Sequence, residues 1–442
     1  MKSSACGSLQ ETSDKIAAGL SPVKIVEGCL ERIHELNGQI RAMIFVSEAD
    51  ALDAAMRARD EIRSGHRRGP LHGVPIAIKD VLDVENWPTT AGSRLFGDRI
   101  AQNTAACVAA LQAAGAIIIG KTNLHELCVG GHDNPWFGKV VNPLDESRGT
   151  GGTSSGSAAA VAAGFCAAAI GTDTGGSNRS PAAATGLFGY KPTNGLIDTN
   201  GVMSMAPSLD CVGVLARSVS DVRLVTEVLA GKRLSPSANA HVESRDSITI
   251  GVCPDLLGAP VDRTVEIALA PMLDHPKVGT IEVAFEDSET FVTVGMTILQ
   301  YEFAKTYRDP IERNPDLVGD AVRAFLQDSI RISGDAYGKA VEIRDNVRRQ
   351  FLKKMAGVDV LAIPTAPGSA PRLSDELTQV NGEMVPWGLA GGRFRRWANM
   401  LGMPALAAPL EVPNDLPVSV QLAALPGQDA ALLDVADMLT GR

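Results

Sequence analysis

Short apolar runs alternate along the chain with segments whose apolar positions recur at helical spacing. The runs in "GVPIAIKDV", residues 73–81, and "AIIIG", residues 116–120, predict short buried strands. Helical spacing predicts a helix that begins at Ser21-Pro22 and further helices over residues 47–63 and 103–115. "TNLHELCVG", residues 122–130, predicts the start of another helix. Strands that alternate with helices in this way predict an α/β fold, with a sheet covered by helices on both faces.

The second half of the chain continues the same pattern. "ITIGVC" and "VDVLAIPTAP" predict further strands, and residues 290–355 are helical and charged. The polar stretch over residues 233–247 predicts a surface connection and not a domain boundary, because the α/β pattern resumes directly after it. We therefore expect one domain spanning residues 1–442.

The charge and cysteine content narrow the class of protein. The 442 residues carry a formal net charge of −10, whereas binding to nucleic acid phosphates needs a basic surface. The chain has no apolar stretch long enough for a membrane span and no signal peptide at its start. Its seven cysteines include no C-x-x-C pair, which indicates reduced thiols. We expect a cytoplasmic protein that binds neither nucleic acid nor membrane, and that needs no metal or organic cofactor.

Glycine is concentrated in residues 149–201, which indicates a functional site. There, "GTSSG" matches the G-x-S-x-G turn that exposes a nucleophilic serine, with Ser154 at its centre. That turn needs a preceding strand, but "NPLDESRGTGG" is polar and typical of turns. It also needs a histidine downstream, and only His241 and His275 follow. A phosphate-loop match at residues 115–122 fails as well, because its middle residues are Ala and three Ile.

Without a suitable histidine, a buried lysine is the remaining base, since burial disfavours the charged ammonium. Lys79 ends the apolar run "VPIAI"; the alternative is a lysine whose amine reaches out of the strand end to solvent. In "GTDTGGSNRSPAA", the N–H groups around Thr174, Gly175 and Gly176 precede the hydroxyl of Ser177. Such a turn can hold an oxyanion, or it can simply cap a helix.

Taken together, these motifs resemble the amidase signature family of serine hydrolases. The resemblance runs from "GVPIAIKDV" through "GGTSSGSAAAVAAG", "GTDTGGSNRSPAA" and "GLFGYKPTNGLI" to "VDVLAIPTAP" and "ANMLGMPALAAPL". It implies a single large domain with a mixed, twisted sheet between helices. The signature core covers about residues 65–220, and a more variable helical region covers about residues 230–355.

The resemblance also implies roles for individual residues. Lys79 stands at the family's base, Ser177 at its nucleophile, and Ser154 at a serine that supports the lysine. The family bridges base and nucleophile with a serine that follows a cis peptide bond, and this chain has Thr153 at that position. Threonine keeps the hydroxyl but stiffens χ1, so Thr153 either relays the proton or impairs the relay. A shift in alignment that gives Ser154 the bridging role conflicts with the spacing of the flanking motifs.

The implied activity is hydrolysis of the C–N bond of a carboxylic amide through an acyl-enzyme at Ser177, with Thr174, Gly175 and Gly176 forming the oxyanion hole. Ureas, carbamates and esters are further substrate classes. The family's acyl pocket falls on residues 128–132, which include Cys128, Gly130 and Gly131.

Several alternatives remain open. Arg393, Arg395 and Arg396 bind an anionic substrate group, face solvent, or form a contact between subunits. The expected partner is a small amide, with a homodimer as one option for the assembly. The alternative functions are an amidase-like subunit of a tRNA-dependent amidotransferase, which feeds ammonia to a partner enzyme, and a non-catalytic family member.

Overall fold

A large mixed β-sheet runs through the centre of the molecule and is flanked by helices. The structure, a computed structural model, describes residues 6–129, 131–235, 247–254, 260–284 and 288–441. The strands are β1 (Met43–Val46), β2 (Pro75–Lys79), β3 (Ile117–Thr122), β4 (Val141–Asn142), β5 (Asp145–Gly149), β6 (Ala168–Asp173), β7 (Phe188–Lys191), β8 (Cys211–Ala216), β9 (Ile248–Val252), β10 (Val278–Glu282), β11 (Val360–Pro364), β12 (Leu377–Val380), β13 (Glu383–Pro386), β14 (Ala405–Leu410) and β15 (Val418–Ala423).

The helices lie between these strands in the pattern that the sequence predicts. They are α1 (Leu9–Ala17), α2 (Pro22–Ile40), α3 (Glu48–Arg63), α4 (Ala106–Ala113), α5 (Ser155–Ala162), α6 (Arg179–Thr185), α7 (Val219–Ala230), α8 (Arg263–Leu273), α9 (Ser288–Arg313), α10 (Asp320–Ser329), α11 (Gly334–Lys354), α12 (Trp387–Leu401) and α13 (Asp429–Thr440). No helix among the described residues combines the length and apolar character needed to cross a membrane.

Eleven of the described strands form one sheet in the order β1-β3-β2-β6-β8-β7-β14-β15-β11-β9-β10. The pairs β3/β2, β2/β6, β11/β9 and β9/β10 are parallel, and the remaining pairs are antiparallel. The α/β prediction with a mixed sheet is confirmed. Strands β2, β3, β6 and β8 are buried along their whole length, which explains why they read as continuous apolar runs instead of alternating ones.

The pairing of β2 with β6 determines which residues meet at the candidate site. Ile78 pairs with Ile170 across this parallel pair, so both strands end at the same edge of the sheet. Lys79 is the last residue of β2. At the same edge, β6 continues into the loop that carries Ser177, and the turn before α5 carries Thr153. The parallel pairing therefore brings three separated motifs together.

Two local predictions differ from the structure. Of the segment at residues 122–130, for which we expected a helix start, Thr122 ends β3 and the described residues 123–129 contain only a single 3₁₀ turn, Glu126–Cys128. Leu127 and Cys128 have positive φ values of 49° and 60°. Residues in that conformation cannot continue a right-handed helix. The polar stretch before Gly151, which we expected to be turn-like, contains β5. This strand pairs with β4 in a separate two-stranded sheet. Most of its residues are exposed or half-buried, so the strand lacks the apolar residues by which a buried strand is recognised in the sequence.

A core glycine in β8 gives a test of this packing. A Cβ atom on Gly213 would lie 2.0 Å from the Tyr190 carbonyl oxygen of the neighbouring strand. We expect Gly213→Ala to lower the free energy of unfolding by about 3 kcal/mol, because backbone atoms must shift. Gly279→Ala in the edge strand β10 is the matched control, since its Cβ would approach nothing closer than 4.0 Å. Denaturant unfolding measures the free energy of unfolding of both variants. Equal losses of stability for Gly213→Ala and Gly279→Ala would contradict the close contact between Gly213 and Tyr190.

Candidate active site

Lys79 lies completely buried at the end of β2. Its Nζ lies 3.0 Å from Oγ1 of Thr153 and 2.9 Å from Oγ1 of Thr172. In the described part of the chain no carboxylate forms an ion pair with this amine. A hydroxyl group can accept a hydrogen bond from an ammonium or donate one to a neutral amine. The amine is therefore held by two hydroxyl oxygens from different segments of the chain.

Thr153 is half-buried in the turn that leads into α5. The family resemblance implied a cis peptide bond before this residue, and that expectation is not met: the described residues contain no cis peptide bond. The Thr153 hydroxyl nevertheless reaches Lys79, because the turn carries the side chain toward the end of β2. The contact between Lys79 and Thr153 is thus present, as the resemblance implied.

Ser154, the central serine of the G-x-S-x-G match, is fully buried. Its hydroxyl donates to the carbonyl oxygen of Thr172 at 3.1 Å, and its backbone N–H donates to the carbonyl oxygen of Ser177 at 3.2 Å. Both bonds tie the turn before α5 to the strand and loop that carry Ser177. This position holds the two halves of the site together and gives a substrate no access.

Ser177 lies half-buried in the loop between β6 and α6. Its hydroxyl makes no hydrogen bond to the described residues. The preceding Gly176 has a φ of 116°, a conformation that strongly favours glycine. The Gly176 N–H donates to Oδ1 of Asp173 at 2.8 Å, so this N–H is already occupied. The described residues accept no hydrogen bond from the N–H groups of Thr174, Gly175 or Ser177.

Asp173, the last residue of β6, holds the loop that carries Ser177. Its carboxylate accepts hydrogen bonds from the N–H of Asn178 at 3.1 Å and from the guanidinium of Arg179 at 2.8 and 3.0 Å. Burial opposes the ionised form, but the positive charge and hydrogen bonds of Arg179 outweigh it and hold the pKa of Asp173 well below its ordinary value. The loop therefore rests on a buried, charged carboxylate.

A second carboxylate, Asp210, holds the other side of the loop. The Thr174 hydroxyl donates to Oδ1 of Asp210 at 2.6 Å, and the Ser204 hydroxyl donates to Oδ2 at 2.6 Å. Burial raises the pKa of Asp210, and these hydrogen bonds oppose the shift. Tyr307 of α9 donates its hydroxyl to the Ser204 carbonyl oxygen at 2.8 Å, which connects the loop to the helical region.

The two described residues of the expected acyl pocket, Cys128 and Gly131, differ in exposure. Cys128 is buried near Tyr307, whose pKa is raised by burial and by the nearby Cys128 and Asp210. Gly131 is exposed and faces the Glu376 carboxylate, while Gly130 lies outside the described residues. Only Cys128 is thus linked to the site through observed neighbours.

Sequence reasoning missed Thr172, Asp173, Arg179 and Asp210 as parts of the site. Asp173 and Arg179 lie inside the motif "GTDTGGSNRSPAA", so a charged pair that flanks a glycine turn was the available signal. Thr172 lies in the same motif but has no charge that would single it out. Asp210 lies outside the motif and gave no signal, because only the fold brings it to this loop.

The site can be compared with known proteins now that its geometry is defined. The profile of the amidase family matches residues 24–433. The chain belongs to the amidase family. The sequence is 32% identical to that of an amidase of known crystal structure. The two structures superpose with a TM-score of 0.92, over 98% of this chain and 99% of that one.

Two further relatives are components of amidotransferases. The A subunit of glutamyl-tRNA(Gln) amidotransferase from Chloroflexus aggregans is 33% identical over 466 aligned residues, which cover 96% of this chain and 93% of that protein. The structure of the corresponding protein from Thermotoga maritima is 25% identical, with a TM-score of 0.79 over 99% of this chain and 94% of that one.

These amidotransferase relatives overturn one expectation. We expected a small-molecule substrate and no nucleic-acid partner, whereas the relatives are named as subunits of a glutamyl-tRNA(Gln) amidotransferase. The exclusion of nucleic acid was based on the acidic net charge of one chain, and the small-molecule substrate followed from the family resemblance. A net charge does not exclude a local basic surface, and it carries no information about an assembly of several subunits.

The ion pair below the nucleophile loop gives a test of how the site is held. We expect Asp173→Asn to lower the free energy of unfolding by about 3–5 kcal/mol, because Arg179 would remain buried without a partner charge. Asp60→Asn is the matched control: it removes one partner of an exposed pair with Arg59 and should leave stability nearly unchanged. Urea unfolding of wild type, Asp173→Asn and Asp60→Asn at pH 7 measures these free energies. If all three were equally stable, the ion pair would not hold the loop.

The difference in stability between wild type and Asp173→Asn should change with pH in a defined direction. Because the pKa of Asp173 is lower in the folded chain, its contribution is fully present above the unfolded value of about 3.9. It is lost as the pH falls through the folded pKa. The difference between wild type and Asp173→Asn should therefore stay constant from pH 7 to about pH 5 and narrow below about pH 4. A difference that widens on acidification would contradict this.

Proposed function

We propose that this chain is the amide-hydrolysing subunit of a tRNA-dependent amidotransferase, which releases ammonia from a carboxamide at Ser177. The similarity to the A subunit of glutamyl-tRNA(Gln) amidotransferase over 96% of this chain supports the assembly, and membership of the amidase family supports the chemistry. The expectation of an enzyme that acts alone on a small amide therefore becomes the second candidate.

The hydrogen bond between Lys79 and Thr153 carries the proposal. A serine hydroxyl is a weak nucleophile until a base removes its proton. The 3.0 Å contact joins a buried amine to a hydroxyl in the turn that is bonded to the Ser177 backbone through Ser154. Rotation of the free Ser177 hydroxyl toward Thr153 when substrate binds completes the relay, since catalytic hydrogen bonds often tighten only in the substrate complex.

The reaction then proceeds in two steps. Lys79 takes a proton from the Thr153 hydroxyl as Thr153 takes the Ser177 proton, and Ser177 Oγ forms a bond to the amide carbon. The C–N bond breaks, and the relay returns the proton to the departing nitrogen, which leaves as ammonia. Water then attacks the acyl-enzyme through the same relay and releases the carboxylic acid. Ser154 supports the arrangement by its bond to Thr172.

The oxyanion of the tetrahedral intermediate needs N–H donors that are not already used. Gly176, one of the expected donors, donates to Asp173 instead, so the donors come from Thr174, Gly175 and Ser177. Asp173 accepts the Gly176 N–H and Asp210 accepts the Thr174 hydroxyl, so the loop that carries these N–H groups is held in place before substrate binds. Such preorganised donors are worth about 10²–10³ in kcat for each one removed in other hydrolases.

A stand-alone amidase is the second candidate function, and one observation favours it. The TM-score of 0.92 to the amidase structure exceeds the value of 0.79 to the Thermotoga maritima protein. Both candidates share the chemistry at Ser177. They differ in whether ammonia passes to a partner enzyme or leaves into solution.

Ammonia release by the purified chain separates the two candidates. As part of an amidotransferase, the chain alone should hydrolyse small carboxamides slowly, and co-purification with its native partners should raise kcat, because the assembly completes the site. A stand-alone amidase should reach its full rate alone. Ser177→Ala should lower kcat by at least about 10⁴-fold in either case. Coupled glutamate dehydrogenase measurement of ammonia gives these rates.

A fluorophosphonate probe supplies the control for that experiment. It should label wild type at Ser177 and leave Ser177→Ala unlabelled, since the probe reacts with activated serines. An unlabelled, folded wild-type chain would support the non-catalytic alternative and would reject both enzymatic candidates.

Substitutions at Thr153 test the relay itself. Thr153→Ser should keep or raise kcat, because the hydroxyl remains and the methyl group is removed. Thr153→Val keeps the shape without the hydroxyl and should lower kcat by about 10²–10⁴-fold, as expected for lost proton transfer. Lys79→Met should show a loss of at least the same size. A Thr153→Val enzyme with full activity would reject the relay.

A further inference from the structure

A tryptophan at the start of α12 contacts the relay turn, residues 151–154, which carries Thr153. The indole Nε1 of Trp387 donates a hydrogen bond to the carbonyl oxygen of Gly151 at 2.8 Å, and this side chain is buried. A Cβ atom on Gly151 would lie 2.3 Å from the same Nε1. Gly151 also has a φ of 67°, in the region that favours glycine. The turn therefore approaches the indole this closely because residue 151 has no side chain.

Ser180, in the first turn of α6, holds the same carbonyl group. Its hydroxyl donates to the Gly151 carbonyl oxygen at 2.5 Å and lies 3.0 Å from Nε1 of Trp387. The backbone N–H of Ser180 donates to the Gly176 carbonyl oxygen at 2.7 Å. Trp387 and Ser180 thus form a clamp on one buried carbonyl group. The clamp joins the relay turn to α12 and to the helix that follows the nucleophile.

Apolar contacts fix the indole of Trp387 in this position. It packs in a small buried cluster with Ala183 and Ala184 of α6 and with Ala366 and Ala370 of the segment that follows β11. A side chain whose rotamer is locked by packing is a precise support for the group to which it is bonded. The clamp is therefore rigid on the side of the tryptophan.

Thr153 lies between two fixed points of the backbone. The clamp holds the Gly151 carbonyl group on one side, and on the other side the Ser154 N–H donates to the Ser177 carbonyl oxygen at 3.2 Å. Threonine is β-branched and has a restricted χ1, so the position of its hydroxyl follows the backbone closely. A serine could turn its hydroxyl back toward Lys79 after a small shift of the backbone. Threonine has fewer rotamers with which to do so.

We propose that Trp387 and Ser180 are positioning residues for the reaction, because the clamp keeps the Thr153 hydroxyl directed at Lys79. This inference rests on the proposed relay to Ser177. Displacing a reacting group by about 1 Å can cost about 10²-fold in rate. The clamp therefore contributes to kcat and leaves the binding of the substrate unchanged. It contributes more with threonine at position 153 than it would with serine.

A double-mutant cycle between Trp387 and Thr153 tests the clamp. Phenylalanine fills most of the volume of the indole but has no N–H group. Trp387→Phe should lower kcat for a small carboxamide by about 10-fold and leave KM within about twofold of wild type. Added to Thr153→Ser, the same substitution should lower kcat by less than about threefold, because the serine hydroxyl rotates back to Lys79.

Trp397→Phe is the matched control, since it removes a second fully buried indole from α12. The Nε1 of Trp397 donates to the Phe394 carbonyl oxygen and not to the relay turn. This variant should keep kcat within about twofold of wild type. Ser180→Ala removes the other donor of the clamp, and its effect on kcat should likewise shrink when combined with Thr153→Ser. Equal losses of kcat with and without Thr153→Ser, or no loss at all, would overturn the positioning role.

Amide hydrogen exchange tests the clamp without turnover. Residues 149–157 should exchange at least about threefold faster in Trp387→Phe than in wild type, while Trp397→Phe should leave their exchange unchanged. If wild type is active and Trp387→Phe changes neither exchange nor kcat, this inference fails alone. If wild type hydrolyses no carboxamide and its Ser177 resists the fluorophosphonate probe, the proposed function fails and takes the positioning role with it, even where exchange becomes faster.

Discussion

The buried ion pair between Asp173 and Arg179 is the constraint on which the candidate site depends. The loop that carries Ser177 contains two consecutive glycines, and glycine has the largest backbone entropy to lose on folding. Such a loop keeps one conformation only when other groups hold it. Asp173 does so by accepting the N–H groups of Gly176 and Asn178, and Arg179 keeps that carboxylate charged in a buried position. Arg179 in turn donates to Asn399 of α12 at 2.7 Å, so one ion pair links the loop, α6 and α12.

The remainder of the site is assembled from the ends of parallel strands. Because β2 and β6 run parallel in register, Lys79 and Thr172 arrive at the same edge, and Ser154 then bonds to the Thr172 carbonyl oxygen. Lys79 and the turn before α5 are thus each held by residues of other elements. In the proposed mechanism, a lysine base places strict demands on this geometry, since its flexible stem has many rotamers. Complete burial of the stem and two hydroxyl contacts remove most of that freedom.

The sequence predicts the parts of this arrangement that are local. Continuous apolar runs identify β2 and β3, and helical spacing predicts α3 to within one residue. Contacts between distant segments are not visible in such patterns. The 3₁₀ turn at Glu126–Cys128 replaces the expected helix because Glu126 is bound by Ser93, Trp136 and Gly319. The missed partners of the site, Thr172 and Asp210, are likewise defined by topology. The amidotransferase subunit was among the expected alternatives, but the exclusion of a nucleic-acid partner was wrong because net charge describes one chain and not its partners.

The charge around the loop that carries Ser177 is unevenly distributed. Asp173 forms an ion pair with Arg179, whereas Arg395 lies against Gly176 and has no ion-pair partner among the described residues. In a medium of low polarity, such a cation raises the affinity of the surrounding space for negative charge. In the proposed reaction, the negative group that forms beside this loop is the oxyanion at the amide. The oxyanion exists only near the transition state, so the positive charge beside the loop contributes to rate and not to binding of the substrate.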